Sequence, residues 1–160
     1  MEGVRRFAPA IVLALALAAA GCGSTGTTET PRACLGSMGQ YLSALRGAPG
    51  TVRLAGDTAI SDCFSDTQGS GDFADVGQTV IRTATRLNAR ALKDPAGDAT
   101  VELGYLDGAV RKGTSNTAGT AVDLVRRLES AARFTPGGGT LGAAFERAYG
   151  KGYAAGENSG

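Results

Sequence analysis

The 160-residue chain contains no histidine. That absence removes histidine-dependent catalytic triads, most catalytic zinc sites and histidine-ligated haem together, because imidazole is the base or the ligand in each. Phosphate-loop chemistry is missing as well. There is no Gly-Lys-Ser/Thr loop, and no Gly-x-Gly-x-x-Gly follows a strand, so neither of the usual backbone cradles for phosphate is encoded. A long hydrophobic run is also lacking. The uncharged stretch from Phe7 to Ala20 carries Ile11, Val12, Leu13, Leu15 and Leu17, yet it falls short of the roughly 20 apolar residues an ordinary membrane span requires. Charge of one sign is scarce too: the formal net charge is +1. No clustered basic surplus exists to displace counterions from a phosphate backbone, so no nucleic-acid partner is expected.

What is present begins at the front. Arg5 and Arg6 precede the apolar run, which ends in small residues and a cysteine, the layout of a secretion signal. The residues Ala19-Ala20-Gly21-Cys22 resemble the lipobox of bacterial lipoproteins. That resemblance implies that the Cys22 thiol receives a diacylglyceryl group and that the signal, residues 1–21, is cut before it. The new amino terminus is then acylated with a chain of the palmitate class. The protein would be held on the cell membrane or envelope, facing outside the cytoplasm. Several chains anchor far better than one, since each buried CH2 adds about 0.8 kcal/mol and a single chain binds only marginally. The alternative is a plain Ala-x-Ala signal with Cys22 an incidental thiol. The resemblance covers residues 1–22 and says nothing of the remainder.

Loss of Arg5, Arg6 and Glu2 with the signal brings the 16 basic and 15 acidic side chains down to 14 of each. The three cysteines would leave an odd thiol in an exported protein. Lipidation of Cys22 resolves the count and leaves Cys34 and Cys63 as one disulfide pair. Thiols oxidise and stay oxidised outside the cytoplasm, and closing a loop of about 30 residues contributes about 3 to 4 kcal/mol in the chain-entropy account. Two buried free thiols acting as small hydrophobes are the alternative.

Cys22 and the Gly-, Ser- and Thr-rich stretch to Thr30 form a flexible linker, 22–30. A helical domain follows over 31–156, and 157–160 is expected to be a disordered tail. The first helix is predicted from a Thr30 cap with Pro31 in its first turn, burying Leu35, Met38, Leu42 and Leu45. Thr51 to Phe64 reads mostly as loop with a short helix near its end. A second helix starts with Asp72 as cap, buries Phe73, Val76, Val80, Ala84, Leu87 and Ala91, and stops before Asp94-Pro95. Asp98 caps a third, with Leu103, Leu106 and Val110 on one side. Thr120 and Asp123 open a fourth, with Val122, Val125, Leu128 and Ala132, joined by Leu124 and Ala131, on a broad apolar face. Thr140 caps a fifth, in which Leu141, Phe145, Tyr149 and Tyr153 repeat mainly every four residues. Five amphipathic helices without a convincing strand predict an all-α bundle.

The spacing also yields candidate chemistry. Gly104 and Gly108 each cost about 1 kcal/mol inside a helix, and their Gly-x-x-x-Gly spacing suits a close approach between two helices of the bundle. Arg82, Arg86 and Arg90 line one helix face and repel one another unless answered; they are candidates for contact with anionic head groups or wall polymers, or a solvated face. The aromatic series Phe145, Tyr149, Tyr153 is core packing or a partner-docking surface. Asp66 to Gly71 imitates a calcium loop, but Gly77 stands where the bidentate glutamate belongs, so no metal or other cofactor is expected. The functional expectation is a membrane-anchored, non-enzymatic binding or scaffold module of the cell envelope, with a protein or glycan partner. The alternative is a carboxylate-dependent cell-wall hydrolase drawing acid and base from Asp62, Asp66, Asp72 and Asp75.

Overall fold

Residues 29–117 and 119–160 are described by a computed structural model; the expected signal, Cys22 and most of the expected linker lie outside them. Five α-helices form, with no strand among the described residues: α1 (Met38–Leu45), α2 (Ser70–Ala91), α3 (Asp98–Gly113), α4 (Thr120–Ala132) and α5 (Ala143–Ser159). The all-α bundle expected from periodicity is the observed architecture. Short 3-10 turns at Arg32–Leu35, Ala55–Asp57 and Ser61–Cys63 shape the segments before α2.

The predicted first helix is two pieces. Gly36 is extended, and Ser37 restarts the chain with a reciprocal capping box in which its hydroxyl and the Gln40 side chain each accept a backbone N–H. Thr30 makes no cap; its hydroxyl is buried with no partner among the described residues. The break rotates the face: Cys34, Tyr41 and Leu45 are buried, whereas Leu35 and Met38 are exposed. Glycine also occupies the cap position of the four remaining helices, at Gly69, Gly97, Gly119 and Gly142. Asp72, Asp98 and Thr120 therefore sit inside the helices they were expected to cap, and Thr140 lies ahead of its helix. In α4 the inward residues are Ala121, Leu124, Leu128 and Ala132, and Val122 points to solvent.

Helix α3 is the centre of the molecule. Every residue from Glu102 to Val110 is buried, and α3 touches α1, α2, α4 and α5. Its contact with α5 is the closest in the fold and runs parallel. A Cβ added to Gly104 would collide with the Tyr149 carbonyl, and one on Gly108 with that of Tyr153. From the other side, Gly152 faces the Val101 carbonyl and Gly156 that of Tyr105. Two Gly-x-x-x-Gly faces thus interlock, so backbone packs on backbone where side chains normally hold helices 8 to 10 Å apart. The close approach expected at Gly104 and Gly108 is therefore present, and α5 supplies the matching glycines.

The end of the chain departs from expectation. Residues 157–160, read as a disordered tail, continue α5 to Ser159, and Gly160 is buried against Ala109. The Arg53 guanidinium donates to the Ser159 carbonyl at 3.0 Å and Lys112 to that of Asn158 at 3.2 Å. These cations satisfy carbonyls that a helix end leaves open.

The zipper makes glycine substitutions in α5 diverge. Gly152→Ala, opposed by backbone that cannot swing away, should lower stability by about 1 to 3 kcal/mol or more. Gly150→Ala, with open space around the added methyl, should raise it by about 0.5 to 1 kcal/mol. Urea midpoints of the two variants check the opposite signs.

Candidate functional site

Cys34 and Cys63 form a disulfide with Cα atoms 5.3 Å apart. It ties the first 3-10 turn to the one that packs on the end of α3, where Gly113 lies against the Ser61 backbone. Buried Tyr41 donates to the Cys34 carbonyl at 2.8 Å, and burial holds its hydroxyl pKa far above the ordinary tyrosine value. Cys22 lies outside the described residues.

Arg82, Arg86 and Arg90 are exposed along α2, and none forms an ion pair among the described residues. Asp62 accepts the Ala59 backbone N–H at 3.0 Å, which makes it a turn-stabilising group. Asp66 is exposed in a loop, Asp75 is exposed on α2, and Asp72 is half-buried in the first turn of the same helix. Acid catalysis at neutral pH needs a carboxyl kept protonated by desolvation, and no member of this quartet is buried. Asp66 and Asp75 do share one groove.

The desolvated acids are elsewhere. Glu102 and Asp107 are buried on α3 with relative exposures of 4% and 3%. One carboxylate oxygen of each, Glu102 Oε2 and Asp107 Oδ1, has no hydrogen-bond partner among the described residues. Burial raises both pKa values. Around Asp107 the helices assemble a polar cluster. Tyr149 donates its hydroxyl to Asp107 Oδ2, and burial together with the nearby Asp107 charge pushes the tyrosine well above its usual pKa. Arg133 grips Glu146 through two bonds of 2.8 and 3.1 Å and stands 4.9 Å from the centre of the Tyr149 ring. Arg111 pairs with Glu129. Tyr153 bonds Glu157 at 2.9 Å, and its pKa is pushed up to about 12 by burial first and that bond second.

This cluster joins α3, α4 and α5 around an open groove of about 390 Å³. The aromatic series resolves into a graded stack. Phe145 and Tyr149 rings lie 5.6 Å apart and Tyr149 and Tyr153 6.3 Å apart, with Phe145 and Tyr149 buried and Tyr153 half-buried. Tyr149 is thus chiefly a core residue with a polar tip. The Arg111–Glu129 pair links α3 to α4 and the Arg133–Glu146 pair links the end of α4 to α5, and both are exposed enough to contribute little each.

A second groove, of about 630 Å³, lies between the first turns of α2 and α4 and the loop that carries Gln68. Phe73, Ile81 and Leu124 give it an apolar floor, and Asp66, Asp75 and Arg127 stand at its rim. Gly77 lets Leu124 close against α2: a Cβ there would meet the Leu124 side chain at 3.2 Å. Gln68 is among the residues that line this groove, and both its amide oxygen and its amide nitrogen are buried with no hydrogen-bond partner among the described residues.

No family model, curated protein or solved structure matches the chain. Among the described residues no helix is long and apolar enough to cross a membrane, and no three acids, cysteines or histidines are placed to hold a metal ion.

Sequence reasoning passed over Asp107, Glu102 and Gln68. The two acids were legible only as charges on a helix read as apolar on one side, through Leu103, Leu106 and Val110. Gln68 gave no signal at all in a polar loop.

The raised Asp107 pKa fixes a sign for stability. The native state holds this proton more tightly than the unfolded chain does, so the carboxyl's contribution is complete below the unfolded value of about 3.9 and is lost as pH climbs through the native value. Asp107→Asn should flatten that decline, reducing the stability difference between pH 4 and pH 7. Urea unfolding of wild type and variant across that range measures it.

Proposed function

We propose that the chain is an exported bacterial lipoprotein, anchored through lipid on Cys22, whose helical domain serves as a non-enzymatic binding module of the cell envelope. The observation that carries the reading is the Cys34–Cys63 disulfide. It suits an oxidising compartment, and it uses both cysteines of the folded domain, leaving Cys22 as the odd one of the three. The lipobox-like residues in front of Cys22 give that odd thiol a use. The domain then begins about ten residues past the anchor, so a linker of Gly, Ser and Thr holds it near the bilayer.

The exposed arginine series on α2 supports the same placement. Three cations spaced one turn apart without ion pairs suit anionic head groups or wall polymers, at about 1 kcal/mol for each charge near an anionic surface. The carboxylate hydrolase is the weaker reading, because its four aspartates lack a desolvated member.

Two measurements test the proposal. Cys22→Ser should abolish labelling by an alkynyl palmitate analogue and release the protein from membranes or leave its signal uncut; undiminished membrane retention would overturn the anchor. Replacing Arg82, Arg86 and Arg90 together by Gln should weaken cosedimentation with phosphatidylglycerol vesicles by about 1 kcal/mol per arginine at low salt, with unchanged helicity by circular dichroism. Equal cosedimentation of variant and wild type removes the arginine face from the reading.

A further inference from the structure

The groove between α2 and α4 contains a feature that packing does not explain. A buried polar atom without a hydrogen bond is costly, and native proteins carry few of them. Gln68, one of the residues lining this groove, has two at the end of its side chain, one donor and one acceptor, with no partner among the described residues. Exchanging the amide oxygen and nitrogen alters nothing, since both positions are empty of partners.

A ligand that satisfies both atoms together must present an acceptor and a donor side by side. A residue of an extended peptide does so: its own N–H and C=O point to the same side, which is how paired antiparallel residues exchange two hydrogen bonds. The rest of the groove fits such a segment. Phe73, Ile81 and Leu124 form an apolar floor for one side chain. The rim is acidic: Asp66 and Asp75 form no ion pair among the described residues, while Asp123 is already taken by Arg126. Arg127 alone opposes them. A neutral glycan leaves these acids unanswered; a basic side chain on the peptide answers them.

We propose that the groove between the first turns of α2 and α4 is a peptide-binding site. It takes an extended segment that pairs one backbone residue with Gln68, lays an aliphatic side chain on Phe73, Ile81 and Leu124, and directs a Lys or Arg toward Asp66 and Asp75. The proposal rests on the binding-module part of the functional reading and is independent of the lipid anchor. On binding, the Gln68 amide, buried in the free chain, turns to the groove surface, where the peptide supplies its partners.

The test is selection of a phage-displayed random heptapeptide library on the full chain in detergent, followed by affinity measurement of the enriched peptides. Enrichment of peptides combining aliphatic and basic residues is expected. Gln68→Met, which keeps the shape and removes both unpaired atoms, should unfold no earlier than wild type yet bind the selected peptides about tenfold more weakly. Asp75→Lys, at an exposed rim position, should cost binding by a similar factor without touching the core, and it serves if Gln68→Met folds poorly. Failure to enrich any peptide overturns the site. So does enrichment of peptides that bind both variants as tightly as wild type. Chitotetraose is the competing probe: if it displaces nothing and shifts no groove resonance, the peptide assignment stands, and if it binds in a Gln68-dependent way where peptides do not, the groove is a glycan site and the proposal falls. Loss of peptide binding alongside intact Cys22-dependent labelling leaves the anchor in place and removes only the groove.

Discussion

The rest of the fold depends on the contact between the backbones of α3 and α5. Gly104 and Gly108 on one helix and Gly152 and Gly156 on the other remove the side chains that would separate them. Each glycine is a poor helix former, so the sequence gives up local helix preference to gain dense packing along two helices. Dispersion is short-ranged, and bringing main chains together multiplies the atom pairs within reach. The consequence is geometrical as well as energetic. With α5 seated against it, α3 becomes enclosed, and its acids lose their access to water.

That enclosure explains the polar cluster. An aspartate at position 107 of a surface helix would be solvated and ordinary. Here it faces the α4 and α5 side of an enclosed helix, and the Tyr149 hydroxyl reaches its carboxylate from α5. Tyr149 lends its carbonyl to the Gly104 contact and its hydroxyl to Asp107, so the same residue carries both the steric and the polar part of the interface. The flanking Arg111–Glu129 and Arg133–Glu146 pairs add little stability in water but penalise any rotation of α4 or α5 that would separate them. Buried polar groups used in this way specify one arrangement at some expense in stability, a use attested for helical assemblies.

How much of this was legible follows from what each residue reports. The helices themselves were, because glycine and proline breaks punctuate the chain and apolar residues recur at helical spacing; the Val76, Val80, Ala84, Leu87, Ala91 face of α2 is buried as read. Rotational phase was less legible where small residues do the packing. In α4 the inward face uses Ala121 and Ala132, while the more hydrophobic Val122 is exposed, since a tight interface selects for fit over hydrophobicity. In α1 the Ser37 capping box resets the register and exposes Leu35 and Met38. The end of the chain, 157–160, read as a disordered tail because intrinsic propensity is a local quantity, and the glycines at 152 and 156 gave no sign that partner glycines on α3 turn them into an interface. The spacing at 104 and 108 announced a close approach without naming the helix it would meet.

The candidate binding groove was hidden for a different reason. Helical cores are encoded by periodicity, whereas a groove at the ends of two helices depends on how loops cross them, and no period records that. Its floor residue Phe73 read simply as a member of α2's apolar face and Leu124 as one of α4's, while Ile81 was not singled out. What distinguishes them is Gly77, which allows Leu124 to approach α2 and close the floor. Glycine therefore does the same physical work at both places: at 104 and 108 it removes a spacer between two backbones, and at 77 it removes a spacer between a backbone and a leucine. In the first case the space is filled by the fold itself. In the second it leaves a concave surface with an apolar floor and a few polar groups, Gln68 among them, the general make-up of ligand grooves.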